Sequence, residues 1–241
     1  MQIEGKNSVL EALYANKRFD RLLIQKGLNS SKQVNKLFDL ARERNIKYEI
    51  VGKYELDKLS KTKNHQGVIA IVSDYDYCLI DDILQKADAL NKDALIVILD
   101  GIEDPFNFGN IIRTCECAGV DGIIIPKHRA CGINETVAKV SAGAINHMLI
   151  SRVSNINDAI NKLKAEGFWV FGTAMDGKEA KTLDLTGKIA IIIGNEGNGM
   201  HELTRKNCDD MIAIKMRGQL NSLNAGVATG IVLFQALEQR P

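Results

Sequence analysis

Three short stretches place polar side chains at spacings that can do chemistry, and each follows a run of apolar residues. The first is DPFNFGNIIRTCECAG, residues 104–119, just past the apolar run at 94–99. Asn107, Asn110 and Arg113 stand there among Phe106, Phe108, Ile111 and Ile112. An Asn107 that caps a helix would put Arg113 in its second turn, near a loop whose unpaired backbone N–H groups favour anions. A guanidinium in that place can clamp a phosphate, because its planar fork offers several donors to a pair of oxygens. An ion pair to Asp104 or Glu116 is the ordinary alternative.

The second stretch is IIIGNEGNGM, residues 191–200. A buried strand ending in Gly194, with Gly197 and Gly199 close behind, lets main chain approach a ligand. The spacing is GxxGxG with no following GK[ST], so neither a dinucleotide fingerprint nor a Walker loop is supported. Glu196, between Asn195 and Gly197, can accept from a ligand N–H or hydroxyl, or stand as an exposed turn acid. The third stretch is IKMRGQLNSLNAG, residues 214–226, where Asn221, Ser222 and Asn224 gather at a helix start; one cap needs only one of them. DGIED, residues 100–104, holds three acids, but no second carboxylate cluster with ligand spacing follows, and helix N-terminal acids account for it. NHQG, residues 64–67, reads as a turn before a strand or as an RNA contact.

The elements that must position these groups fall into two patterns. The first 72 residues read as a small α/β unit: a helix over 7–16 begun by Asn7, a strand at 21–25, a helix over 30–45, and strands at 47–51 and 67–72. SDYDYCLI, residues 73–80, reads as a linker. The expected division is therefore a first domain over 1–73, a linker and first helix over 74–92, and a second domain over 93–241. In the latter, short β-branched runs at 94–99, 122–126, 147–151, 168–173, 188–194 and 211–216 alternate with helical stretches, which predicts a mostly parallel sheet covered on both faces. Such sheets bind ligands beyond the carboxyl ends of their strands, which is where all three polar stretches lie. The last helix, over 222–240, carries Leu223, Val227, Ile231 and Phe234 on one stripe, expected to be core. Its Gly226 and Gly230 let another backbone approach, a dimer seam included.

Composition is that of a folded chain: 241 residues, 45% hydrophobic and 25% charged, with three prolines. The net charge of +1 is unevenly spread, with 14 Lys and Arg against nine Asp and Glu in residues 1–75, and 17 against 21 in the rest. A polyanion would meet the basic front part first. Five cysteines without a CxxC pair and four scattered histidines give no zinc spacing, so reduced thiols, no metal and a cytoplasmic location are expected. No run approaches the roughly 18 apolar residues of a membrane span.

Taken together and in this order, DPFNFGNIIRT, IIIGNEGNGM and IKMRGQLNSLNAGVATGIVLF resemble the three motifs of the SpoU (TrmH) family of S-adenosylmethionine-dependent RNA ribose 2′-O-methyltransferases. The front part, NHQGVIA included, is similar to the ribosomal-protein-L30-like substrate-binding domain of the longer members. The full layout resembles the RlmB-type enzymes that methylate a guanosine ribose in 23S ribosomal RNA; transfer RNA as substrate, or an RNA-binding protein without turnover, are the alternatives. The resemblance implies an α/β trefoil knot, which general topology rules disfavour, and a homodimer whose subunits complete each other's sites. It implies that S-adenosylmethionine lies against Thr173, Gly194, Asn195, Gly197, Ile214, Met216 and Leu223, and that Asn107, Arg113, Glu196, Ser222 and Asn224 form the catalytic set. On that reading Arg113 holds a substrate phosphate and stabilises the developing alkoxide. The proton acceptor stays open between Arg113 and that phosphate, since a guanidinium keeps its proton to above about pH 12. Leu220 and Asn221 depart from the small residues frequent in close relatives.

Overall fold

The computed structural model of the protein describes residues 2–15, 17–29, 31–73, 75–195, 197–219 and 222–240. Glu196, Leu220 and Asn221, singled out above, lie outside the described residues. The chain divides into two compact units, at residues 76 and 77.

In the first unit the elements run β1 (Gln2–Glu4), α1 (Lys6–Tyr14), β2 (Arg18–Gln25), α2 (Lys32–Glu43), β3 (Glu49–Val51), α3 (Lys53–Leu59) and β4 (Val68–Ser73). The sheet order is β1-β4-β2-β3, with only β2 and β3 parallel. Successive residues of a strand face opposite sides. Accordingly Leu22 and Ile24 pack under α1 and α2 with Val9, Leu13, Leu37 and Ala41, while Leu23 turns to Leu56 of α3 on the other side. Helix α1 begins at Lys6 after Gly5 rather than at a capping Asn7. Gly5 sits at φ +90°, a conformation that L side chains rarely adopt.

The NHQG turn is structural at His65, which is 6% exposed. Its Nδ1 accepts from Gly67 N at 3.0 Å, which leaves the proton on Nε2, 2.8 Å from Asp57 Oδ1. Glu4 anchors the same loop from below, accepting from Ser60 Oγ, Lys61 N, Thr62 Oγ1 and Gln2 Nε2.

The second unit runs α4 (Ile80–Ala89), β5 (Leu95–Asp100), α5 (Pro105–Cys117), β6 (Gly122–Pro126), α6 (Glu135–Val140), β7 (Ile150–Val153), α7 (Ile156–Ala165), β8 (Trp169–Glu179), β9 (Ile189–Gly194), α8 (Glu202–Lys206), β10 (Asp210–Ala213) and α9 (Ala225–Leu237). Tyr77 and Cys78, in the stretch read as a linker, are built into it: the Tyr77 hydroxyl accepts from Ile133 N and Cys78 N donates to Ile150 O. The six-stranded sheet has the order β10-β8-β9-β5-β6-β7 and is parallel throughout. Ile96, Ile98, Ile124, Val170, Ala190 and Ile192 face α4 and α7 in one core. The alternate positions Val97, Leu99, Ile191 and Ile193 turn to the opposite face, where α5 and α9 pack.

This order fixes where a ligand goes. From β5 the chain proceeds outward through β6 and β7, whereas from β9 it proceeds the other way to β10, beyond β8. Asp100 and Gly194, the last residues of β5 and β9, are register partners at that divergence. A sheet whose connections part in opposite directions leaves a crevice at the carboxyl ends of the two strands.

Candidate functional site

Four segments converge on that crevice and enclose a cavity of about 860 Å³. The first comes from an interruption in β8. Its pairing with β10 steps from Gly172↔Met211 to Lys178↔Ile212, so residues 173–177 leave the ladder and form a wall. Thr173 holds the start of this wall by donating from Oγ1 to Ile192 O at 3.0 Å. Gly177 lets its end pass the β10 backbone, since a Cβ there would meet Met211 O at 2.6 Å.

The second segment follows β9. Gly194 is required by close approach: a Cβ would lie 2.6 Å from both Gly199 C and Met200 N. Asn195 and Gly199 exchange two backbone hydrogen bonds, of 3.0 and 2.9 Å. The Asn195 side chain is fully committed, with Oδ1 accepting from Gly197 N and Asn198 N and Nδ2 donating to Gly101 O at 2.9 Å. Asn195 therefore shapes the loop with its amide, and the glycines present main chain to the cavity.

Ile212, Ile214 and Met216 form the third segment, and Ser222, Leu223, Ala225 and Ala228 the fourth. Thus Thr173, Gly194, Asn195, Gly197, Ile214, Met216, Ser222 and Leu223, far apart in the chain, line one space. Three charged side chains missed by the sequence reading line it too: Asp176, Glu202 and Arg205. Arg205 Nη2 donates to both oxygens of Asp176, at 2.8 and 2.7 Å, and that guanidinium holds the Asp176 carboxyl below its usual range. Nothing local in the sequence pairs residues 29 positions apart.

Asn107, Arg113 and Asn224 stand outside the cavity lining, on the helices beside it. The expected cap at Asn107 is corrected. Asp104 caps α5, accepting from Asn107 N at 2.8 Å, with Pro105 at the first helical position. Arg113 consequently lies eight residues into the helix, about 12 Å along its axis, and not in its second turn. It shares an exposed face with Phe106, Asn110 and Cys117 at helical spacing. Neither ion pair considered for Arg113, to Asp104 or to Glu116, forms among the described residues.

Asn224 caps α9, its Oδ1 accepting from Gly226 N at 3.0 Å and Val227 N at 3.3 Å. Its Nδ2 donates to Asn107 Oδ1 at 2.7 Å, joining the first and third motifs. On α9 the close neighbour expected at the two glycines is found within the chain, and the stripe expected as core is not core. Gly226 and Gly230 face α5 of the same chain, where Cβ atoms would meet Asn110 Cβ at 3.3 Å and Thr114 Cγ2 at 3.5 Å. The core face of α9 is Ala225, Gly226, Thr229, Val232, Leu233 and Ala236, so the stripe expected as core looks outward, with Val227 51% and Phe234 53% exposed.

Four of the five cysteines are partly or fully buried, and Cys117 is exposed. Burial pushes the Cys78, Cys131 and Cys208 thiols up to about 11, and raises Cys115 as well. Among the described residues no three His, Cys, Asp or Glu side chains gather to hold a metal, and no helix is long and apolar enough to cross a membrane.

The model of the SpoU rRNA Methylase family matches residues 94–234, from the first residue before β5 into α9, and so spans every wall of the cavity. The chain belongs to the SpoU rRNA methylase family. A model for RNA 2′-O ribose methyltransferase substrate binding matches residues 2–78 in addition. SpoU-family relatives of similar length include a Staphylococcus epidermidis protein assigned to the TrmH family of tRNA/rRNA methyltransferases, 39% identical over 239 residues, with 99% of this chain and 95% of the relative covered. The AdoMet-bound rRNA methyltransferase of Sinorhizobium meliloti superposes with a TM-score of 0.62 at 26% identity, covering 98% of this chain and 86% of that one. AviRb of Streptomyces viridochromogenes, at 24% identity and a TM-score of 0.63 over 99% and 90% of the chains, shares the fold.

S-adenosylmethionine is the cofactor expected of a SpoU methyltransferase with such a neighbour. The cavity fits it. About 860 Å³ is within the range of roughly 300 to 1,000 Å³ typical of small-molecule sites. Isoleucine, leucine and methionine side chains suit an adenine, and the glycine main chain suits hydroxyl and amino groups. Asp176 and Glu202 are already paired with Arg205 and Lys206, so the fit rests on the apolar side chains and the glycine main chain.

Proposed function

We propose that this protein transfers a methyl group from S-adenosylmethionine to a ribose 2′-hydroxyl of RNA, and that its substrate is a guanosine in 23S ribosomal RNA, as in RlmB-type enzymes. The observation that carries the reading is one cavity at the β5/β9 divergence, lined by seven residues picked from the second and third motifs together with Thr173. The bound donor supplies an electrophilic methyl on sulfur. The chain's own task is to bring up a poor nucleophile and align it, and orientation of that kind is worth about 7 to 11 kcal/mol at best.

The roles follow from position. Thr173, Gly194, Asn195, Gly197, Ile214, Met216 and Leu223 hold the donor. Asn224 fixes Asn107, which orients the ribose at the edge of α5. Ser222, exposed in the cavity lining, meets the target sugar, and Glu196, whose role comes from the motif alone, contributes an acceptor. Arg113, presented on the exposed face of α5, takes the RNA phosphate and stabilises the developing alkoxide.

Because Arg113 does not line the cavity of its own chain, the catalytic set is completed in a homodimer. The outward stripe of Val227 and Phe234 on α9, with Phe106 on α5, supplies an apolar seam, and large exposed apolar patches mark interfaces. Residues 1–73 form the L30-like RNA-recognition module and 93–241 the catalytic domain, with the final segment threaded as a trefoil knot. A cytoplasmic location accords with an RNA acceptor of this class.

The test is mapping of ribose methylation in cells lacking the protein, followed by in vitro transfer from labelled donor to RNA from those cells. Loss of one 23S guanosine mark, restored by the wild type and reduced at least about a hundredfold in Arg113→Lys, is the expected result. Loss of a transfer-RNA mark instead would move the substrate, and no lost mark would remove the reading.

A further inference from the structure

Asp100 has no part in the reaction described above, and its environment is unlike that of the helix N-terminal acid expected from DGIED. Its side chain is 4% exposed at the end of β5. Both oxygens are spent on one residue 101 positions away: Oδ2 accepts from His201 N at 2.9 Å, and Oδ1 lies 2.8 Å from His201 Nδ1, which carries its proton against a carboxylate. The His201 ring is itself 54% exposed, so the core does not hold it in place. The next residue of β5's exit, Gly101, accepts from Asn195 Nδ2 at 2.9 Å. Residues 197–200, which line the cavity, are thus tied at both flanks to consecutive residues of another strand.

We propose that Asp100, acting through His201, is a positioning residue for the donor cavity, holding the post-β9 loop at the distance from β5 that the donor requires. The proposal rests on reading the cavity as the donor site. Burying a carboxylate is expensive unless it is fully paired, and an apolar side chain of similar volume would close the strand end at a lower desolvation cost. What the carboxylate adds is direction. Its two acceptors fix both the main chain and the ring of residue 201, and Met200 immediately before it also packs against Gly172 of β8. The clamp therefore registers three strands at the crevice: β5 through Asp100, β9 through the loop and β8 through Met200.

The experiment uses the full chain and S-adenosylhomocysteine, the demethylated donor, as probe in titration calorimetry, with unfolding midpoints and RNA KM measured on the same preparations. Asp100→Asn keeps the volume but turns one acceptor into a donor facing an N–H. Its dissociation constant is expected to rise about ten- to a hundredfold, the factor carried by a hydrogen bond to a charged group, with RNA KM changed less than about twofold. His201→Ala removes only the ring arm and is expected to weaken the probe about three- to tenfold, and to have no further effect when added to Asp100→Asn. Where Asp100→Asn does not fold, His201→Ala decides, because it empties no core position. Unchanged affinity in His201→Ala, additive effects in the double variant, or a loss of RNA KM in parallel with donor affinity would overturn the proposal. A wild-type chain that does not bind the probe would instead sink the donor-site reading.

Discussion

Gly194→Ala separates a tolerance for small residues from a need for main-chain contact. The added Cβ would sit 2.6 Å from Gly199 C and Met200 N and 2.9 Å from Gly199 O. These are backbone atoms, so no rotamer change relieves the clash. Residues 199–200 must move by most of an ångström, against the paired bonds between Asn195 and Gly199. Two backbone hydrogen bonds at about 1 kcal/mol each, with overpacking of about 1 to 3 kcal/mol, are offset by the roughly 0.4 to 1 kcal/mol that Ala gains by restricting the unfolded chain. The net is a loss of about 2 to 4.6 kcal/mol. Spread over a unit of this size, each kcal/mol lowers the midpoint by about 2 to 4 °C, so a fall of roughly 4 to 18 °C is expected by calorimetry. Gly172→Ala is the control, since its Cβ would meet only the ends of Met200 and Met211, which can swing away. Donor binding should be lost in the first variant and weakened only a few fold in the second. The reasoning is refuted by a Gly194→Ala protein that melts within about 2 °C of the wild type and binds S-adenosylhomocysteine normally, or by two variants that behave alike.

Asn224→Ala should cost about 1 to 2 kcal/mol in urea unfolding through the lost cap, whereas Asn224→Asp keeps the cap, faces Asn107 Oδ1 with a second acceptor, and should impair methyl transfer with little loss of stability. For Glu4, burial works to raise the pKa, but hydrogen bonds from Ser60, Thr62, Lys61 and Gln2 outweigh it and bring the carboxyl down to about 2. A depressed folded-state value gives stability that is present above the ordinary 4.5 and is lost as pH falls toward 2. Exposure to solvent discounts it to about 1 kcal/mol, so Glu4→Gln should speed amide exchange of β1 at pH 7, with the difference from the wild type shrinking below pH 4.5 and closing only at about pH 2. Phe234→Glu charges the outward stripe of α9 and should shift the protein to monomer in analytical ultracentrifugation, with methyl transfer falling in step; an unchanged sedimentation coefficient would remove that seam.

The parallel sheet was legible because its central strands are apolar runs rich in β-branched residues, as at 94–99 and 188–194, bounded by Gly or Asp. That the polar stretches gather at one edge was legible for a related reason, since each follows such a run and carboxyl ends in a parallel sheet share one edge, although only the second and third line the cavity. Local signals misled where two were present together. Asp104-Pro105 is a stronger helix start than Asn107, and reading past it shortened the distance to Arg113. On α9, glycines at fourfold spacing say only that some element is near, and α5 of the same chain is that element; the misleading signal was the apolar stripe at 223, 227, 231 and 234, which looks outward. What stayed hidden had no local trace. The register step that pushes residues 173–177 out of β8 depends on β10, and the burial of Asp100 depends on a residue 101 positions later.

The glycine-lined wall after β9 bears on inhibition. Gly194, Gly197 and Gly199 face a competitor with main chain alone, a surface that carries no side chain to exchange. A compound gripping that surface would leave a cell few single-codon escapes, because the substitutions that alter the surface itself also block the natural methyl source.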